Sequence, residues 1–117
     1  MRLLTGLFVG LLAADMTGTW TLHYDPDFSG HPATHECKIQ QQGEKLAFDC
    51  DNGGGKFTGE VKDNRVTFDH TTGRNNEIVV RYSGAVNQER SFMKGAWQYT
   101  DPKDKTEKTG RFSLEKK

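Results

Sequence analysis

Two cysteines, Cys37 and Cys50, constrain this 117-residue chain more tightly than any other feature of it. They close the ends of ECKIQQQGEKLAFDC, residues 36–50, where two apolar/polar alternating runs flank Gly43 and Glu44. With those two residues as the loop, Gln42 faces Lys45, and the register carried outward sets Cys37 directly opposite Cys50. Glycine at the first loop position suits the type II′ turn favoured in two-residue hairpins. Alternating outward from a hydrogen-bonded 42/45 pair, the 37/50 pair is a non-hydrogen-bonded one. Its Cα atoms should lie about 4.5 Å apart, within disulfide range. One face then carries Cys37, Ile39, Leu46, Phe48 and Cys50, and the other Lys38, Gln40, Gln42, Lys45 and Asp49. A disulfide across the hairpin implies an oxidising compartment and contributes at most about 3 kcal/mol for so short a loop. The alternative, a zinc or catalytic thiol pair, has no CxxC spacing near it.

The rest of the chain repeats the pattern. Trp20, Leu22 and Tyr24 share one face of a first strand; Phe57, Gly59 and Val61 pair across Asp63-Asn64 with Val66, Phe68 and His70. Ile78, Val80, Tyr82, Gly84 and Val86 form the longest alternating run, followed by Met93, Gly95, Trp97 and Tyr99, then Gly110, Phe112 and Leu114. Helix-period segments are absent, and turn clusters separate the runs. In TGTW, TGEV, SGAV, KGAW and TGRF a glycine precedes a large apolar residue by two positions, on the same face. Inward glycines relieve crowding where a small barrel curves tightly. The expected fold is all-β: one domain, residues 15–117, forming an eight-stranded antiparallel up-and-down barrel, which leaves no exposed edge. A two-sheet β-sandwich is the alternative.

Gly18-Thr19-Trp20 on the first strand resembles the GxW signature of the calycins, the lipocalin and avidin superfamily. The repeated T-G-x-apolar hairpins and the ending TGRFSLEKK resemble a broad group of small secreted bacterial barrels. The likeness spans most of residues 16–116. It implies a barrel that binds a small apolar ligand, with a cation from the last strand packed on Trp20. Lipocalins use arginine there; in this chain strand alternation points to Lys116.

The first fourteen residues, MRLLTGLFVGLLAA, place one positive charge before an apolar run and end in small residues. This is the layout of a secretory signal peptide cleaved after Ala14; an N-terminal strand or buried helix is the alternative reading. The run is too short for a membrane span, which needs roughly 20 apolar residues. The expected product is secreted or periplasmic. Sixteen basic residues balance sixteen acidic ones, so charge favours neither nucleic acid nor an anionic membrane as partner.

Nucleophile elbows, phosphate loops and metalloprotease motifs are missing, and DNGGGK reads as a hairpin loop. The expectation is a non-enzymatic protein. Its candidate ligand-binding residues are Trp20, Tyr24, His70, Tyr82, Trp97 and Tyr99, which with Gln41 give an apolar interior a few polar groups. The competing reading fills that interior with Phe48, Phe57, Phe68, Trp97 and Phe112, as an eight-stranded barrel allows. A candidate metal site lies in DPDFSGHPATHE, residues 25–36, where Asp25, Asp27, Ser29, His31 and Glu36 match a calcium-loop spacing. His31, His35 and Asp27 could instead hold zinc or copper, and an ordinary polar loop explains the same residues. No other cofactor site is suggested. A secreted protein-binding module, for example a hydrolase inhibitor working through its loops, is the second functional reading.

Overall fold

The computed structural model describes residues 15–27, 29–52, 55–72, 75 and 77–117. The segment 1–14 read as a signal peptide lies outside the described residues. Eight strands follow one another in chain order: β1 (Gly18–Asp25), β2 (Ala33–Gln42), β3 (Lys45–Cys50), β4 (Gly55–Lys62), β5 (Arg65–Thr72), β6 (Ile78–Val86), β7 (Phe92–Asp101) and β8 (Thr106–Lys116). Each is antiparallel to the next, and β8 pairs with β1, closing the barrel. This ring replaces the two-sheet alternative. No helix among the described residues is long and apolar enough to cross a membrane.

The β2–β3 register runs from Gln42↔Lys45 to Cys37↔Cys50, as the sequence pattern requires. Gly43 sits at φ 62°, the positive value its turn needs. The two cysteines are disulfide-bonded with Cα atoms 4.0 Å apart. Beyond them the amide of Asp51 donates to Glu36 O at 3.0 Å, the next hydrogen-bonded pair of the ladder. The β1–β2 connection is shorter than the stretch 25–36. Ala33 and His35 continue the inward alternation of Cys37 and pair with Tyr24 and Leu22, so β2 begins at Ala33.

Inward positions form one continuous core from Met16 and Trp20 through Phe48, Phe57, Phe68, Tyr82 and Trp97 to Leu114. The inward glycines sit beside large side chains of neighbouring strands: Gly59 faces Phe68, Gly95 faces Phe112, and Gly110 faces Trp97. At Gly95 an added Cβ would lie 2.0 Å from Ser83 O, and at Gly110 2.5 Å from Trp97 Cζ2. The glycine motif is thus a space requirement, and ring and backbone share one inward layer because of it.

One barrel end collects the β2–β3, β4–β5 and β6–β7 turns together with both termini of the described chain; the β1–β2, β3–β4, β5–β6 and β7–β8 connections leave from the other. Met16 corks the first end. It is fully buried; its carbonyl accepts from Trp20 Nε1 at 2.9 Å, and its amide donates to Gln41 Oε1 at 2.9 Å. Lys116 lies over the Trp20 ring, Nζ 5.9 Å from its centroid, and donates to Asp15 O at 3.2 Å. The cation expected on that tryptophan is therefore present as lysine.

Candidate functional site

Of the six interior candidates, the structure gathers five toward the second barrel end and leaves one apart. Trp20 is sealed beneath Met16 at the first end. Tyr24 and Tyr82, on β1 and β6, meet across the lumen and hydrogen-bond hydroxyl to hydroxyl. Tyr82 pairs in register with Trp97 on β7. His70 stacks on Phe57 at 4.4 Å and lies 6.2 Å from Tyr82. Tyr99 is half-buried at the rim, with Lys108 Nζ 5.4 Å from its ring centroid. The indole of Trp97 donates to Pro26 O at 2.9 Å, tying the β1–β2 loop to β7. Sequence reasoning set His35 among possible metal ligands; its ring instead points inward, edge-on to Tyr24 at 6.0 Å, and its Nδ1 is 2.9 Å from Asp51 O.

Rings occupy the centre of the lumen. Phe68 stacks on Phe48 at 4.3 Å and on Tyr82 at 4.4 Å, Phe57 stacks on Tyr82 at 5.2 Å, and Phe112 closes edge-on against Tyr82 at 5.4 Å. Such distances are those of direct aromatic contact. Burial sets the chemistry of the polar groups among them. Desolvation pushes the Tyr24 phenol up to about 12, against a smaller lowering by Tyr82, and raises Tyr82 further still. Both hydroxyls therefore stay protonated at neutral pH. Desolvation also holds His70 below its ordinary value, partly offset by the Asp69 charge.

The candidate metal residues divide. Asp27 Oδ1 accepts from the Ser29 amide at 2.9 Å, the Ser29 hydroxyl at 2.6 Å and the His31 amide at 3.2 Å. Slight desolvation pushes its carboxyl up, but these bonds and the nearby His31 outweigh that and leave it below the usual range. Asp25 lies on the outer wall opposite Arg111, and Glu36 accepts from Lys117 Nζ at 2.5 Å. Only Asp27, Ser29 and His31 thus come together, as a self-bonded loop. Among the described residues no group of three or more His, Cys, Asp or Glu is placed to hold a metal ion.

Two broad concavities open on the outer wall. One, of about 900 Å³, crosses β3 to β8; a second, of about 670 Å³, crosses β6, β7, β8 and β1; they share Ser83 and Ala96. The floor follows from register. Thr67, Ser83 and Ala96 are outward-facing partners in one row, between the rows Asp69–Arg81–Gln98 and Arg65–Ala85–Lys94. The row ends at Arg111, then Asp25. Phe92, outward on β7, is the large hydrophobic most exposed among the described residues, at 41%. Its signal was legible: in SFMKGAW it adds an apolar residue on the parity opposite to Met93 and Trp97. Compared with known protein families, with curated proteins and with solved structures, the chain matches none. The closed eight-stranded ring is compatible with a calycin-like fold.

Proposed function

We propose that this chain is an exported, non-enzymatic barrel of calycin type that binds a partner protein on its outer surface. The observation that carries the reading is the division of space: stacked rings occupy the lumen, while the large concavities lie outside. Small-molecule sites bury most of their ligand in a pre-formed cavity, and an open wall groove suits a macromolecule better. Export is supported by the Cys37–Cys50 disulfide, which persists in oxidising compartments. Burial keeps the Tyr24–Tyr82 pair protonated, so it can donate a hydrogen bond but does not act as a base at neutral pH.

A second reading places a small apolar ligand at the second barrel end, favoured by the convergence there of Tyr24, Tyr82, His70 and His35. Native mass spectrometry of protein taken from its own secretory compartment separates the two. A stoichiometric protein partner is the expected result. A co-purifying small molecule, with saturable quenching of Trp97 fluorescence when it is added back, would transfer the assignment to the lumen.

A further inference from the structure

We propose that the first barrel end is a binding site for an extended peptide segment bearing one apolar side chain of methionine size, a site that the resting chain fills with its own residues 15–17. The proposal rests on the protein-binding reading above and names one site and the chemistry of the partner segment that takes it. Three observations carry it.

The first is how the main chain of this segment is held. It precedes β1, and the β1 ladders with β2 and β8 begin only at Gly18 and Trp20. Side chains read it instead. Lys116 Nζ donates to Asp15 O at 3.2 Å, Gln41 Oε1 accepts from the Met16 amide at 2.9 Å, and Trp20 Nε1 donates to Met16 O at 2.9 Å. Gln41 is oriented by its own Nε2, which donates to Gly43 O at 2.9 Å, and its amide donates to Thr17 Oγ1 at 3.1 Å. Two donors and an acceptor, carried on β8, β1 and β2 and fixed in advance, fit the amide and carbonyls of any extended segment laid there. The second observation is alternation. Met16 is fully buried while Asp15 and Thr17 are exposed, so only the middle side chain is selected, and the hole that takes it is apolar. The third is the hinge. Gly18 joins the segment to β1 at φ 149°, a conformation open to glycine, and a segment outside the ladder opens at lower cost than a strand. The occupant that replaces it comes from a different protein. Three residues reach only about 10 Å at roughly 3.3 Å each, and the β2–β3, β4–β5 and β6–β7 turns rim the same end, so the arm is too short to enter a second copy.

The test uses the disulfide-bonded chain as wild type and as Met16→Asp, whose charge is too costly to bury in the apolar hole and keeps the segment out. The probe is the end-capped peptide Asp-Met-Thr, and the readout is the Trp20 Nε1–H resonance in a nitrogen-15 NMR titration. The expected result is a saturable return of that resonance in Met16→Asp to its wild-type position, with at least tenfold weaker binding to wild type, whose own segment competes in cis. Asp-Ser-Thr should not bind, and adding Gln41→Leu to Met16→Asp should weaken Asp-Met-Thr at least tenfold. A second measurement needs no variant: in the wild type the Met16 amide and the Trp20 indole N–H should exchange with solvent at least tenfold faster than the Leu22 amide. No saturable binding by Met16→Asp, equal binding of the two peptides, or exchange at Met16 no faster than at Leu22 would each overturn the proposal. So would a wild-type dimer that Met16→Asp abolishes, since the occupant would then be a second copy. The wider reading fails separately. Met16→Asp should recover more of the native partner than wild type does; if recovery is equal, the barrel end is the wrong site and protein binding stands. If only a small molecule co-purifies with wild type, protein binding itself is wrong.

Discussion

Gly43 and Gly95 are both glycines in hairpins, yet they are required for different reasons. Gly43 has nothing within 4 Å of a would-be Cβ but sits at φ 62°. Gly43→Ala should cost about 1–2 kcal/mol, the penalty for an L-residue in the left-handed region. Gly95 needs no unusual φ; its missing Cβ is what lets Ser83 O approach. Gly95→Ala should cost at least about 3 kcal/mol, the upper end for overpacking, and urea denaturation of the two variants checks the contrast. His70 supplies a pH signature. Its folded pKa lies below its ordinary value of about 6.5, so the unfolded chain binds the proton first. Its contribution to stability is therefore complete above about pH 6.5 and is lost as pH falls through the folded pKa. The urea midpoint of the wild type should fall between about pH 7 and pH 5, and His70→Phe should flatten that slope.

Among the elements, the β2–β3 hairpin joins a local turn to a covalent staple. Replacing both Cys37 and Cys50 by alanine should lower stability by up to about 3 kcal/mol, the chain-entropy limit for so short a loop. The loss should fall short of that limit because the Gly43 turn already closes the hairpin; chemical denaturation of the double variant against wild type measures it. This element was legible in advance. Its register depends on residues within fifteen positions of each other, and a one-residue slip would expose Ile39 and Phe48. The β1–β2 connection was less legible. Its length depends on Ala33 and His35 finding Tyr24 and Leu22 across the ladder, and Glu36, counted as a loop ligand, is carried into β2 and bonded to Lys117.

At the scale of the whole molecule, closure of β8 on β1 turns eight hairpin-linked strands into one core and leaves no edge. The plug at Met16 bears on maturation, since burial begins one residue after Asp15, the expected first residue after cleavage at Ala14. Exported protein should show an intact mass starting at Asp15 and lacking two hydrogens for the disulfide; retention of Met1, or a reduced mass, would contradict the respective half. The sequence by itself determined the strand count, the registers of the β2–β3 and β4–β5 hairpins, the inward faces and the disulfide, because each follows from period-two alternation and turn chemistry over short chain distances. Only the tertiary structure decided how those faces share space. Whether inward rings line a cavity or stack into a core depends on distances between strands far apart in the chain, as between Tyr24 and Tyr82. The outer concavities likewise exist because small residues from β5, β6 and β7 fall in one row, a coincidence of registers that no single strand encodes.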